Sequence, residues 1–593
     1  MRKPAACLFL AILALPATAS VRAQDLSADA REDDSGFPYT VVGDALVKVG
    51  IESDFRPLSV LLADDEADTR AELNRRMRVD TTTIRTLLQE RGFYDALVSA
   101  DFEPGEPRGQ VVFTIDPGPL YRFSAVNPAL LGVAVGDPVD SSAVFDAVAA
   151  LALDVRERGF AFAEIGEPDV LIDHENATGI LTVPFDIGPP GAFGTVRFED
   201  RETAPFSNEH LAVIARFEPG DSFDPDLVED LRLALLSTGL VGSLSLRERR
   251  GEAARNGVPA VDLVVSASEA PSRTISGEVS FDSEDGFRLQ GVWQSRAFAS
   301  PEGALNLTGI VSEQQLLAGA ELRYSNWRRR DRSLSLRSAL FSEDRDAFFN
   351  RGAEIGVAIE RETTLIWQKR WTYRVGAEAL FTQERDRSGI QTSLRDYVIA
   401  AAPATVAFDA TDDLLDPREG VRFEAHLSPE ASLRDQVFGY AVAQLGVSGY
   451  FPASDRVVLA GRALVASIAG SARRNIAPSR RLYAGGGGSV RGFGFQDIGP
   501  LDTDGNPIGG RSKIEGSLES RFRFGDFGAA VFADVGQVYT SSAPGFDDLR
   551  VGVGGGLRYY TSFGPIRVDA ARALARRDNE PEVAVYVSIG QAF

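Results

Sequence analysis

Two different patterns of apolar and polar positions divide the chain near residue 273. Before this point, apolar residues recur at the three- and four-residue spacing of amphipathic helices, and shorter alternating stretches follow them. After this point, apolar and polar residues alternate one by one, as they do in strands that have one apolar face. The sequence therefore predicts an α+β region followed by a long all-β region.

Three segments between residues 37 and 272 share one order of elements: strand, helix, helix, glycine turn and two strands. The clearest helical stretches are residues 80–92, 145–159 and 225–239, and each of them stops at a glycine, namely Gly92, Gly159 and Gly239. The glycines recur at roughly 65 to 80 residues, and a period of this kind indicates an array of small modules.

The all-β region alternates most clearly at residues 513–524. One face would carry Glu515, Glu519 and Arg521, and the other would carry Ile514 and Leu518. Charges that face inward and aliphatic side chains that face outward fit a membrane barrel better than a soluble sandwich, which rarely buries charges. At roughly 20 residues for each strand and its connection, the region from residue 273 accommodates about 16 antiparallel strands.

Residues 1–23 have the pattern of a signal peptide: Arg2 and Lys3 precede an apolar run, and cleavage is expected after Ala23. No later segment offers ~18 uninterrupted apolar residues. Any membrane span must therefore be a β-barrel, because an open sheet in lipid would leave backbone groups unpaired. Cys7 is the only cysteine, and its removal with the signal peptide excludes a disulfide framework and thiol catalysis.

The net charge of −23 argues against a nucleic-acid partner, because binding to phosphates requires a basic face. Three histidines, His174, His210 and His426, are widely spaced and have no cysteine partner, so they predict neither a zinc site nor a catalytic triad. We expect no cofactor and no enzymatic activity.

A glycine-rich segment before residue 513 contains the most informative motif, formed by four consecutive residues. These are Val490, Arg491, Gly492 and Phe493. Two patterns follow it: Glu519 lies on the next predicted strand, and Phe532, Asp534 and Gly536 form Phe-x-Asp-x-Gly on the one after. An arginine inside a barrel needs carboxylate partners, because an unpaired buried charge costs several kcal/mol. Glu519 and Asp534 have the strand parity to face inward.

The last predicted strand spans residues 583–593 and ends on an aromatic residue. Its alternation places Val583, Val585, Val587, Ile589 and Phe593 on one face. A first strand is predicted at residues 274–281, where alternation begins.

These motifs resemble those of the superfamily that contains BamA, TamA and the two-partner secretion transporters. In that family the Val-Arg-Gly-Phe motif lies on the sixth extracellular loop, which folds back into the lumen, and the resemblance nominates Glu519 and Asp534 as lock partners of Arg491. The terminal strand is similar to the C-terminal β-signal of outer-membrane barrels, which implies roles for Tyr586, Gly590 and Phe593.

The N-terminal modules resemble POTRA domains, through the stretch RGFYDA at residues 91–96 and the stretch DPGPLYRFSAV that begins at Asp116. The expected organisation is a signal peptide at 1–23, a linker and first POTRA domain at 24–117, a second at 118–188, a third at 189–272, and a transmembrane barrel at 273–593. Three POTRA domains are the number of the TamA type, whereas BamA carries five and the two-partner transporters carry two.

The resemblance implies an outer-membrane translocation and assembly factor with its POTRA domains in the periplasm. It would insert or translocate clients such as autotransporters through a lateral gate between the first and last strands. The implied partners are a TamB-like protein anchored in the inner membrane, unfolded outer-membrane protein clients and outer-membrane lipids. A two-partner-secretion-type transporter or a passive outer-membrane channel stays open as an alternative.

Overall fold

The computed structural model describes residues 37–63, 66–128, 132–252, 258–282, 286–363, 368–387, 393–561, 564–577 and 580–593. The predicted signal peptide, with Cys7, lies outside these ranges. The chain falls into two compact units. One contains the chain up to Asp154 together with Ala163–Ile187, and the other contains Val155–Phe162 and Gly188–Phe593.

The first module belongs to the first unit and packs three helices on a four-stranded sheet. Its elements are β1 Phe37–Val42, α1 Asp44–Lys48, α2 Glu52–Phe55, β2 Glu66–Ala67, α3 Arg70–Glu90, β3 Leu97–Glu103 and β4 Gly109–Asp116. The sheet order is β2-β1-β4-β3, and β1 runs parallel to β4. Helix residues such as Leu73 and Ile84 are buried with Phe113 of the sheet. Strand β3 therefore lies at one edge of this sheet.

Helix α3 begins ten residues earlier than the sequence predicts. Its N-cap is Thr69, whose side chain accepts a hydrogen bond from the Glu72 amide, so the predicted start at Asp80 is wrong. Asp80 lies within the helix and is completely buried. Its carboxylate accepts hydrogen bonds from the Ser59 hydroxyl and from the amides of Val60 and Leu61. An aspartate suits both a buried acceptor and a helix N-cap, and the local sequence does not distinguish the two roles.

The second module follows with a smaller sheet. Its elements are β5 Arg122–Asn127, α4 Ser141–Glu157, β6 Glu164–Ile165, β7 Asp169–Asp173, β8 Thr178–Thr182 and β9 Phe185–Asp186. The order β5-β8-β7 forms one sheet, and β6 pairs with β9. Among the residues that the structure describes here, α4 is the one helix, where the pattern predicted two.

The third module belongs to the second unit. Its elements are β10 Ala192–Phe198, α5 Asn208–Ile214, α6 Pro225–Ser237, β11 Val241–Arg250 and β12 Ala260–Glu269, with the sheet order β10-β12-β11. Gly92, Gly159 and Gly239 have φ angles of +92°, +93° and +66°, the left-handed conformation that ends helices. The limits of the three modules, and their assignment as POTRA domains, stay predictions.

The remainder of the second unit is a large antiparallel sheet. Its strands are β13 Arg273–Asp282, β14 Gly286–Ala299, β15 Gly303–Ser312, β16 Gln315–Tyr324, β17 Ser333–Asp344, β18 Phe348–Arg361, β19 Trp371–Asp386, β20 Arg395–Ala401, β21 Ala404–Asp409, β22 Gly420–Leu433, β23 Val437–Ser454, β24 Val457–Ala469, β25 Ser512–Phe524, β26 Phe527–Tyr539, β27 Arg550–Thr561, β28 Gly564–Ala573 and β29 Ala584–Ile589. Apart from β20 and β21, which lie end to end, each pairs with the next in chain order.

Strands β20 and β21 are two parts of one span. Both pair with β19 and with β22, and the break between them falls at Pro403, which has no amide hydrogen to donate to the ladder. The seventeen segments in the described ranges therefore make sixteen spans. The predicted fold, an α+β array followed by an antiparallel barrel of about 16 strands, is confirmed.

The two faces of the barrel wall differ as the alternation predicts. On β25, Glu515, Glu519 and Arg521 are buried, whereas the Leu518 side chain is 71% exposed. Charged residues thus face the lumen, and aliphatic residues face outward. Among the described residues, no helix is both long enough and apolar enough to cross a membrane.

The two ends of the sheet, β13 and β29, meet without a regular ladder. Between the described residues of these strands no register of paired residues is present. Strand β29 ends at Ile589, because Gly590 adopts φ +90° and turns the chain; the Gly590 amide still bonds the carbonyl oxygen of Pro565 in β28. The prediction that Phe593 shares a face with Ile589 is wrong, since the turn at Gly590 brings Phe593 against Tyr450 of β23.

The longest described connection in the barrel joins β24 to β25. We call residues 470–511 loop six, because it is the sixth connection at the end of the barrel away from the third module. It contains two 3-10 turns, Arg473–Asn475 and Pro478–Arg480. At the opposite end, Arg330 in the β16–β17 turn donates to the Ile214 carbonyl of α5, which holds the third module against the barrel.

Candidate functional site: the anchored loop in the barrel lumen

Arg491 of loop six lies inside the barrel, only 2% exposed, between two carboxylates on neighbouring strands. Its Nε and Nη2 donate to the two oxygens of Asp534 at 2.7 and 3.0 Å, and its backbone amide bonds Oδ2 of the same carboxylate at 3.0 Å. Nη1 donates to Oε2 of Glu519 at 2.7 Å. The structure thus brings Arg491 together with both of the nominated carboxylates, and the geometry with Asp534 is the bidentate form that favours arginine over lysine.

A third carboxylate, Asp569 of β28, also contacts the motif arginine. Its Oδ2 lies 3.2 Å from Nη1 of Arg491 and 3.1 Å from Nη1 of Arg567. The resemblance did not nominate Asp569, although Arg567 and Asp569 alternate in the sequence with the apolar residues Ile566, Val568 and Ala570 and so share one face of the strand. Parity identifies the inward face, but the partner of an inward charge depends on which strands lie opposite the loop.

The surrounding charges nearly balance. Besides Arg491, three buried arginines contact these carboxylates: Arg521, Arg558 and Arg567. Four guanidinium groups therefore share three carboxylates, Glu519, Asp534 and Asp569, within a region where each side chain is at most 8% exposed. Such a network tolerates burial only while each charge keeps its partner, so removal of one member leaves the others uncompensated.

The residues of the Phe-x-Asp-x-Gly pattern form part of the surface of the barrel wall that the motif contacts, which we call its seat. The guanidinium carbon of Arg491 lies 3.3 Å from the centroid of the Phe532 ring, a cation–π contact. A Cβ atom at Gly536 would stand 2.7 Å from Cγ2 of Val490, and one at Gly552 of β27 would stand 1.8 Å from the Arg491 carbonyl oxygen. Glycine at these two positions lets the loop backbone approach the wall closely.

The apolar members of the motif anchor it from the other side. Val490 and Phe493 are buried in a cluster with residues of the loop, of β26 and of β28, namely Ala484, Ile498, Val538 and Ala573. Gly492 adopts φ +100°, and a Cβ atom there would stand 2.9 Å from the backbone carbon of Arg572. The turn between Arg491 and Phe493 therefore requires glycine both for its conformation and for its contact.

The last strand contributes directly to this seat. The Tyr586 hydroxyl accepts a hydrogen bond from the Gly492 amide at 3.0 Å and donates one to the Phe493 carbonyl at 2.7 Å. Phe593 lies with its ring 5.4 Å from the guanidinium carbon of Arg521, and its carbonyl accepts a bond from Arg521 at 3.3 Å. Two of the predicted β-signal residues thus contact the motif or its charge network, whereas Gly590 provides the turn between them.

Comparison with known proteins shows which class of protein this chain is similar to. Residues 304–593 match the Omp85 superfamily domain. The outer membrane protein assembly factor BamA of Neorickettsia risticii (strain Illinois) is 22% identical over 566 residues, which cover 87% of this chain and 72% of that protein. The crystal structure of BamA from Haemophilus ducreyi lacking POTRA domains 1–3 superimposes with a TM-score of 0.64 at 16% identity, covering 79% of this chain and 99% of that one.

CdiB from Escherichia coli aligns over 92% of this chain and 98% of its own, at 13% identity and a TM-score of 0.44. The fold and the buried loop motif define an outer-membrane barrel protein with N-terminal α/β modules. Its barrel region is thus similar to the Omp85 superfamily domain, in agreement with the resemblance to the superfamily of BamA and TamA. The protein lies in the bacterial outer membrane, with its N-terminal modules in the periplasm.

Proposed function

We propose that this protein assembles other proteins into the outer membrane. The observation that carries the proposal is the position of the motif of loop six, which the network around Arg491 holds inside the lumen against Tyr586 of the last strand. A barrel whose lumen holds its own loop is poorly suited to passive diffusion. The same network connects the loop to the strand at which the sheet ends.

The unpaired sheet ends support a lateral gate. Strand β29 has six residues, whereas its neighbour β28 has ten, and between the described residues of β13 and β29 no paired register is present. Backbone groups at a free edge template the addition of a further strand. A client strand would pair there and enter the bilayer with its hydrogen bonds satisfied.

The periplasmic modules support delivery of an unfolded client. Strands β3, β7 and β11 each lie at an edge of a module sheet. An extended segment can add to such an edge through main-chain hydrogen bonds, which impose little requirement on its sequence. The modules would thus hold many different unfolded outer-membrane proteins before insertion.

At the finer level, we propose that the protein is of the TamA type. The support is the number of sheets: three module sheets precede the barrel in the described residues, apart from the small β6–β9 pair. Its clients would then include autotransporters, and its partner would be a TamB-like periplasmic protein anchored in the inner membrane. Copurification of a periplasm-spanning protein with the full-length chain, lost on deletion of the first module, tests the partner.

Reconstitution tests the function. Full-length protein in liposomes receives an unfolded autotransporter barrel, and the folded client is measured as the species that resists denaturation before heating. We expect wild type to accelerate assembly over empty liposomes, and Arg491→Ala and Asp534→Asn to lose most of that acceleration. Arg474→Ala is the matched control, since Arg474 lies exposed in the same loop. If wild-type protein assembles the client no faster than empty liposomes do, the proposed function is contradicted. If both variants are fully active, the proposal that the ion pairs of Arg491 must hold the loop in the lumen is contradicted.

A further inference from the structure

Loop six contacts the barrel wall at a second place, ten residues before the motif. We call residues 476–481 the approach segment. At its centre, the Ser479 amide and hydroxyl donate to the two oxygens of Glu384 at 3.0 and 2.6 Å. Glu384 belongs to β19 and is 1% exposed. A buried carboxylate on the wall is therefore satisfied by the loop.

The next two residues of the segment form ion pairs with the same side of the barrel. Arg480 makes two hydrogen bonds to Glu430 of β22, with 3.0 Å between Nε and Oε2. Nη1 of Arg481 donates to Oδ2 of Asp386 of β19 at 2.7 Å. Three consecutive loop residues thus bind three separate carboxylates, all of which belong to strands β19 and β22.

Apolar contacts accompany these bonds. Ile476 and Ala477 are completely buried. Ala477 packs with Leu380 and Ile399, and Ile476 packs with Tyr440 and Ile468. The approach segment is therefore embedded in the wall, because both its charged and its apolar side chains have partners there.

The two contact regions lie on different strands. The motif binds carboxylates of β25, β26 and β28, whereas the approach segment binds carboxylates of β19 and β22. The two sets of carboxylate partners share no member among the described residues. When one of these arginines departs, it leaves an uncompensated carboxylate on the strands that it contacts.

We propose that Ser479, Arg480 and Arg481 form a second anchor, which keeps loop six attached to β19 and β22 when the motif leaves its seat. Arg480 and Arg481 are positioning residues: they set where the loop re-enters the lumen and so guide Arg491 back to Asp534. Release of the motif would then be a hinged movement of residues 482–498 and not the departure of the whole loop. This inference rests on the proposed function, in which Arg491 holds loop six in the lumen, but its test requires no client protein.

Thiol labelling separates the two anchors. The only cysteine of the sequence, Cys7, lies in the predicted signal peptide, and it is replaced by serine so that it cannot react. Single reporters are then introduced as Ala477→Cys in the approach segment and Ala484→Cys beside the motif, because both alanines are almost completely buried. Full-length protein in liposomes is treated with a charged maleimide. In the Arg491→Ala background we expect the reporter at 484 to react at least about tenfold faster and the reporter at 477 to stay protected, since local opening exposes one region at a time.

Substitutions in the second anchor give the reciprocal result. Glu430→Gln or Arg480→Gln should expose the reporter at 477, and the exchanged pair Arg480→Glu with Glu430→Arg should restore its protection, an outcome that a loss of general packing would not produce. Arg474→Gln, in the exposed part of the loop, should change neither rate. Resistance of the barrel to denaturation before heating verifies the fold of each variant. Equal exposure of both reporters in Arg491→Ala overturns the proposal, as does failure of the exchanged pair to restore protection in a folded barrel.

Discussion

The Tyr586 hydroxyl on the last strand donates a hydrogen bond of 2.7 Å to the Phe493 carbonyl in loop six. The same hydroxyl accepts the Gly492 amide at 3.0 Å, so one side chain satisfies both backbone groups of the motif turn. Any movement of β29 at the sheet end must therefore break these hydrogen bonds or move the motif together with the strand. The position of the loop and the state of the last strand are therefore coupled through Tyr586.

Tyr586→Phe should weaken this coupling. The ring remains, but a buried amide and a buried carbonyl lose their partner, which costs about 1–3 kcal/mol. We expect the urea midpoint of the folded barrel to fall and loop six to become more accessible to protease. Tyr559→Phe, on the exposed outer face of β27, is the control and should change neither quantity. An unchanged midpoint in Tyr586→Phe would show that the two hydrogen bonds contribute nothing measurable.

Arg491→Lys should not replace the arginine. A lysine ammonium cannot donate in a fork to both oxygens of Asp534 while also reaching Glu519, and it would lie poorly on the Phe532 ring. Loss of a partner from a buried ion pair costs about 3–5 kcal/mol, and the lysine variant should recover only a minor part of the client assembly that Arg491→Ala loses. Assembly at the wild-type rate would mean that charge alone suffices.

Gly552→Ala should displace the motif without removing any charge. The new methyl group would meet the Arg491 carbonyl oxygen, because a Cβ atom at this position would stand only 1.8 Å from that oxygen. Overpacking of this kind costs about 1–3 kcal/mol. Gly309→Ala on β15 is the matched control, since an added Cβ there meets nothing within 4 Å. We expect increased protease cleavage of loop six in the first variant and none in the second.

The docking of the third module against the barrel should weaken in acid, because it depends on the ionised Asp331 carboxylate. This carboxylate, in the β16–β17 turn, lies 2.9 Å from Lys369 Nζ and 3.0 Å from Arg216 Nη2. Burial acts to raise the pKa of Asp331, but Lys369, Arg216 and Arg330 outweigh it and hold the pKa below the ordinary value of 3.8. A depressed folded pKa stabilises docking above the ordinary value, and that contribution is lost as the pH falls through the lower folded value.

Hydrogen exchange of helices α5 and α6 measures this dependence. The difference in protection between wild type and Asp331→Asn should be constant from about pH 7 to about pH 5 and should begin to fall near about pH 4, the ordinary range of an aspartate. It should be lost only as the pH falls further, through the lower folded pKa of Asp331. Comparison with the variant removes the contribution of other groups at the junction, such as His210 and Glu302, which lie 2.9 Å apart. A difference that disappears between pH 7 and pH 5 would contradict the assignment to Asp331.

Local sequence patterns predicted most of the barrel wall. Alternation at residues 513–524 correctly placed Glu519 inward and Leu518 outward, because the side-chain period of a strand depends only on neighbouring residues. Patterns at the ends of elements were less informative. The start of α3 was predicted at Asp80 because aspartate serves both as a buried acceptor and as a helix cap. Phe593 was placed on the outer face because apolar residues continue at every second position past Gly590, and this alternation gives no sign of the turn there.

An α+β array, a barrel and the inward face of its strands could all be predicted from the chain's hydrophobic period and composition. The pairing of the inward charges could not: Asp569 joins Glu519 and Asp534 at Arg491, and Glu384 and Glu430 hold Ser479 and Arg480. These pairs are 28 to 95 residues apart in the chain. Their contact depends on strand register and on the path of loop six through the lumen, which no local pattern records.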